Sequence, residues 1–141
     1  MTKTTSKYYQ SKYPLIKGST IDEIVPKARA IYSEIDKSTG RRNTYIRSAY
    51  FNKEKVFLKP FWEHLYQKRR SERARRLKYY KCALDLIRNT RFEPDFKDDG
   101  RGSKNVYYRF YGKSKTGEKF VVQIHCDKRK NKYFMSCYPK K

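Results

Sequence analysis

Residues 105–138 read NVYYRFYGKSKTGEKFVVQIHCDKRKNKYFMSCY, and this stretch decides the fold class. Three runs of strand length, 105–112, 119–126 and 133–138, are rich in aromatic and β-branched residues. The segments KSKTGEK and DKRKNK separate them, and both suit hairpin connections. Strand side chains alternate, so each run divides into two faces. Val106, Tyr108 and Phe110 oppose Tyr107, Arg109 and Tyr111. Phe120, Val122, Ile124 and Cys126 oppose Val121, Gln123 and His125. Tyr133, Met135 and Cys137 oppose Phe134, Ser136 and Tyr138. One face is almost wholly apolar and is expected to pack on helices. The other gathers Arg109, Gln123, His125, Ser136 and Tyr138 among rings, in what is expected to be one concave patch.

Upstream, the pattern turns helical. Thr20 and Glu23 stand at capping-box spacing, and Ile21, Ile24, Ala28, Ile31 and Ile35 recur at three- and four-residue steps up to Gly40. TYIRSAYF (44–51) reads as a short strand. The pairs Phe57/Leu58, Phe61/Trp62 and Leu65/Tyr66 step by four and predict a second helix, with Pro60 marking a kink or its first turn. A third helix opens at Ser71 and Glu72 and carries the stripe Leu77, Tyr80, Leu84, Ile87. EPDFKDDGRGSK (93–104) reads as a loop; its Asp98-Asp99 pair could hold a divalent ion but reads better as solvated acid. Residues 1–18 read as a flexible basic lead-in and 19–141 as a single domain. Helices followed by strands predict an α+β fold, N-terminal helices packed on a C-terminal antiparallel sheet of three to four strands.

Composition narrows the partner. The 141 residues carry 36 Lys+Arg against 14 Asp+Glu, a net charge of +22, with 14 tyrosines, eight phenylalanines and one tryptophan. A disordered polycation would be poor in rings, so a folded domain with a very basic surface is expected. The positive charge is spread along the chain and interleaved with rings, which suits phosphates and unstacked bases better than a membrane surface. KRRSERARRLK (68–78) has seven basic residues in eleven, including Arg69, Arg70, Arg73 and Arg76, and could track a nucleic-acid backbone. No apolar run approaches the roughly 18 residues of a membrane span. Three cysteines, Cys82, Cys126 and Cys137, form no disulfide framework, and a cytoplasmic location is expected. The chain has no CxxC pair and no GxxxxGK[ST] loop, so neither a structural metal nor a nucleotide cofactor is expected.

The polar patch has the residue types for cutting RNA without a metal. The 2′-OH can attack its own phosphate if a base takes its proton, an acid protonates the leaving 5′ oxygen, and donors hold the phosphoryl oxygens. Arg109 suits the phosphate clamp, His125 or His64 the proton transfers, and Ser136, Tyr138 and Gln123 the hydrogen bonds. A module that binds nucleic acid without cutting it, including a helix–turn–helix DNA-binding factor using the basic helix, is the alternative. A third reading is a protein that binds an acidic partner.

Taken in order, IRSAYFNKEKVFLKPFWEHL, RRLKYYKCALDLIRNTRFEP, YYRFYG, EKFVVQIHCDKRK and YFMSCYP resemble the bacterial and phage nuclease-like domains grouped with barnase, colicin and RelE-type toxins, over residues 44–139. The resemblance implies a metal-independent endoribonuclease carried on the sheet, and often a toxin neutralised by an antitoxin or immunity protein. Catalytic sets vary among such domains. Within the resemblance Arg109 and Ser136 lead as catalytic positions, with Arg47 and Arg91 secondary candidates for phosphate contact.

Overall fold

The computed structural model describes residues 7–39, 43–98 and 104–140. The elements are β1 (Tyr9–Gln10), α1 (Ile21–Thr39), β2 (Tyr45–Ser48), β3 (Glu54–Phe57), α2 (Lys59–Leu65), α3 (Arg70–Leu77), α4 (Tyr80–Asn89), β4 (Asp95–Asp98), β5 (Val106–Lys113), β6 (Lys119–Cys126) and β7 (Lys132–Pro139). All seven strands join one curled, mixed sheet in the order β1-β5-β6-β7-β3-β2, with β4 also paired to β5.

The meander β5–β6–β7 is its centre. Gly117, at φ 97°, turns the first hairpin, and its N–H donates to the Ser114 carbonyl at 3.0 Å. In the second, the Asp127 carboxylate accepts from the N–H groups of Arg129 and Asn131 at 3.0 and 2.9 Å, and Lys130 takes the left-handed turn at φ 72°.

The sheet corrects the expected three to four antiparallel strands. The helical half itself supplies four short strands, and two pairings are parallel: β3 with β7 and β1 with β5. None of the four shows a long alternating pattern. In β3, Phe57 sits beside Leu58 and so continues the four-residue step of α2. In β4, all four residues are exposed, so no apolar alternation marks it. Pro60 lies in the first turn of α2, where its missing N–H costs nothing. The expected third helix is two. Lys78 and Tyr79 interrupt it, and the released Lys78 carbonyl accepts the Ile16 N–H at 2.9 Å.

That bond belongs to a second correction. Over residues 7–18 the lead-in is part of the fold, while residues 1–6 lie outside the described residues. Asp85 of α4 is 3% exposed, yet its carboxylate accepts from Tyr9 Oη (3.0 Å), Ser11 Oγ (2.9 Å), the Lys12 N–H (3.2 Å) and Asn89 Nδ2 (2.8 Å). A buried carboxylate requires such donors, and three of the four come from the N-terminal stretch. Burial, then the Asp85 hydrogen bond, push the Tyr9 phenol up to about 12, so it stays a donor.

Glu23 accepts the Thr20 N–H at 3.2 Å, which is half of a capping box at the start of α1. The expected stop at Gly40 lies outside the described residues. The helices pack on one face of the sheet, where Ile24, Ala28, Phe61, Leu77, Tyr80, Leu84, Phe120, Val122, Ile124, Phe134 and Cys137 are buried. Gly112 lets β5 pass close under α4: a Cβ there would stand 2.8 Å from Leu86 Cδ1 and 2.7 Å from Phe120 Cζ, so these buried side chains would have to shift.

Candidate functional site

The site lies on the other face, and register builds it. Along β5 and β6 the pairs are Tyr107↔His125, Arg109↔Gln123 and Tyr111↔Val121. Along β6 and β7 they begin as Val121↔Tyr138 and Gln123↔Ser136, then shift between Gln123 and Ile124 to give Ile124↔Phe134 and His125↔Tyr133. The extra residue on β7 is Met135, a β-bulge.

The bulge corrects the sequence-based division of the third strand. Simple alternation groups Tyr133 with Met135 and Cys137, and Phe134 with Ser136 and Tyr138. In the structure Phe134 is fully buried, stacked on Phe61 with centroids 4.6 Å apart, and Tyr133 has crossed to the polar face. Nothing in YFMSCY marks the bulge.

Three rows of side chains result. The middle row is Arg109–Gln123–Ser136, with Asp95 of β4 opposite Arg109. Beside it runs Tyr107–His125–Tyr133, and on its other side Tyr111–Val121–Tyr138. A depression of about 460 Å³ opens at the β4 end, bounded by Asp95, Lys97, Tyr107, Arg109 and Gln123. At the other end, His64 of α2, Lys68, Arg76 of α3, Met135 and Ser136 line a narrow cleft. The fold thus brings His64 to the β7 end of the middle row, because α2 packs along β7 through Phe61 and Leu65.

The two ends differ in charge. Lys68 and Arg76 flank the cleft, and the Arg76 guanidinium lies 5.2 Å from the Tyr138 ring centroid while pairing with Glu72 at 3.0 Å. In the depression, Asp95 accepts the Tyr111 hydroxyl at 2.7 Å; burial and then this bond push the Tyr111 phenol up to about 12. His125 is stacked on Tyr107, with centroids 4.8 Å apart and planes 13° from parallel, and its Nε2 lies 3.0 Å from Asn105 Oδ1. Burial lowers its proton affinity below the ordinary histidine value, with Asp127 opposing. Tyr133 donates to Asp127 at 3.0 Å, and burial followed by that bond raises its phenol.

Of the sequence candidates, Arg109, Gln123, His125, Ser136, Tyr138, Tyr107 and Tyr111 share this face, and His64 and Arg76 border it. The basic stretch does not form one free ridge. Arg73 donates to the Lys68 and Tyr66 carbonyls at 2.7 and 2.8 Å, closing the C-terminus of α2. Arg70 bonds Asp22 at 3.3 Å. Arg69 is exposed at the start of α3, and Arg91 is exposed in the turn between α4 and β4. Arg47 lies exposed on β2, at the far side of the sheet.

Sequence reasoning missed Asp95, Lys97, Tyr133, Phe57 and Tyr45. The first two lie on a strand read as loop, and Asp99 of the same acidic pair lies outside the described residues. Tyr133 depends on the bulge; Phe57 and Tyr45 depend on the long-range pairing of β3 with β7. No protein-family model, curated protein or solved structure matches the chain.

Proposed function

We propose that this face binds single-stranded RNA and cleaves it by 2′-OH transesterification. One observation carries the reading: Arg109, Gln123 and Ser136 stand in one cross-strand row, with His125 beside it and His64 at its end. Arg109 holds the phosphoryl oxygens with paired N–H donors. Ser136 donates to the same phosphoryl oxygens, and Gln123 and Tyr138 orient the strand by hydrogen bonds.

The 2′ oxygen attacks phosphorus as its proton passes to a base, the P–O5′ bond breaks, and an acid supplies the proton that leaves with the 5′-hydroxyl. The products are a 2′,3′-cyclic phosphate and a free 5′-OH. His125, whose burial favours the neutral ring, suits the base; in the tautomer that donates from Nε2 to Asn105 Oδ1, Nδ1 is the acceptor. His64 suits the acid. The net charge of +22 steers the polyanion to the face.

A second reading, binding without cleavage, draws on the same ring. His125 sits between Tyr107 and Tyr133 and is tied to Asn105, which also describes a fixed stacking platform. Incubation with total RNA in EDTA separates the two. Cleavage leaves fragments ending in 2′,3′-cyclic phosphate, and Arg109→Ala or Ser136→Ala reduces the rate at least about 100-fold, the scale of one lost transition-state donor. RNA that stays intact while binding in a salt-sensitive way rules out the nuclease and leaves the binding module.

A further inference from the structure

The ring row does not stop at Tyr133. Phe57 of β3 stands opposite Tyr133, with centroids 5.8 Å apart, and Tyr45 of β2 stands opposite Phe57 at 6.4 Å. Tyr107, His125, Tyr133, Phe57 and Tyr45 therefore form one chain of rings crossing five strands, each ring half-buried. Four strand spacings of about 4.8 Å put its ends roughly 19 Å apart.

The far end is cationic. Arg47 and Lys55 are direct cross-strand partners, both exposed, and both lie over the Tyr45 ring, at 5.4 and 4.6 Å from its centroid. Like charges directly opposite each other weaken a sheet. Among the described residues neither cation pairs with a carboxylate; neighbouring Glu54 is engaged by Lys132. The Arg47 guanidinium is held in place by donating to the Lys53 carbonyl at 3.0 Å. Two cations over the last ring of the row, without a carboxylate partner among the described residues, match a backbone phosphate that follows a run of unpaired bases.

We infer that Tyr45, Arg47 and Lys55 form a distal subsite for a backbone phosphate, reached by an unpaired RNA strand laid across the ring row. The inference rests on the RNA-binding reading above and names its substrate as a single strand of several nucleotides, not a duplex and not a di- or trinucleotide.

Fluorescence anisotropy on the full chain tests it, using 2′-O-methyl RNA, which lacks the attacking hydroxyl and is not cut. The double variant Arg47→Ala/Lys55→Ala should bind a 12-mer about ten-fold more weakly than the wild type. The slope of log affinity against log salt should become shallower by about 0.7 for one lost phosphate contact on a single strand. The affinity for a trimer should stay within about two-fold. Equal loss for trimer and 12-mer, or an unchanged 12-mer, overturns the subsite. So does a 12-base-pair duplex that competes as well as the single strand. Cleavage of unmodified RNA is scored separately. Length-dependent binding with uncut RNA retains the subsite and removes the nuclease; cleavage unaffected by strand length or by the double variant does the reverse.

Discussion

Tyr133 and Phe134 are neighbours on β7, and they end on opposite sides of the sheet. Phe134 lies inside, with Phe61, Trp62 and Tyr80, at centroid distances of 4.6 Å to Phe61 and 6.2 Å to Tyr80. Tyr133 lies outside, in the row with His125 and Phe57. Both sets are ring clusters with similar spacing, yet their energetics differ. The inner rings are almost completely removed from water and join α2 and α4 to the sheet, so their contribution is to folding. The outer rings remain half-exposed, and two of them keep a polar partner at the rim: Tyr133 with Asp127, His125 with Asn105. Rings on a face the core does not need are available for a ligand.

Phe134→Ala should produce the largest effect, a loss of about 3–5 kcal/mol of stability by urea unfolding, from lost burial and the cavity left behind. A loss below about 1 kcal/mol would mean that inner and outer rings are not energetically distinct. Tyr133→Ala should reverse the pattern. Its stability cost should stay near 1 kcal/mol or less, while affinity for single-stranded RNA should drop by the equivalent of about 1–3 kcal/mol, one lost stacking contact. Equal binding by wild type and variant would take Tyr133 out of the interface.

The smallest effect concerns protons. Burial holds His125 below the ordinary histidine value, so as pH falls the unfolded chain takes up a proton before the folded chain does. The stability that the neutral ring contributes is complete above about pH 6.5 and declines as pH falls through that value toward the lower, folded one. His125→Phe keeps a ring and removes the proton. Its melting temperature should fall less between pH 7.5 and pH 5 than that of the wild type; identical falls would show that this histidine is not the titrating group.

Legibility followed the range over which each feature is encoded. Strands β5 and β6 and helix α1 were readable because each repeats its period over eight or more residues, whereas β7 was readable as a strand but not in its facing, which the bulge changes. The grouping of Arg109, Gln123 and Ser136 was readable for the same reason, since register runs uninterrupted from β5 through Gln123. Beyond that point the sequence is silent. Met135 carries no mark of a bulge, and β3 finds its parallel partner 76 positions away, at Val56↔Lys132. Asp85 reads as one polar position on an apolar helix, although it gathers the N-terminal stretch. The β2–β3 extension was not legible either, because its place beside β7 appears only once strand order is known.

The covering of β5 bears on how copies of the chain meet. β5 is eight residues long, and its outer side receives β4 on Val106–Arg109 and β1 on Gly112–Lys113. Among the described residues the outermost strands therefore have only two residues in β1, four in β4 and, across the sheet, four in β2. A long bare rim of backbone N–H and C=O groups is a template on which a second chain can zip, and a ring-rich strand would make that template adhesive. Here the rim is divided into short pieces, one of them fastened through Tyr9 and Ser11 to a buried carboxylate. Edges this short disfavour strand-to-strand pairing between copies of the chain, and they do so without covering the rings on the open face.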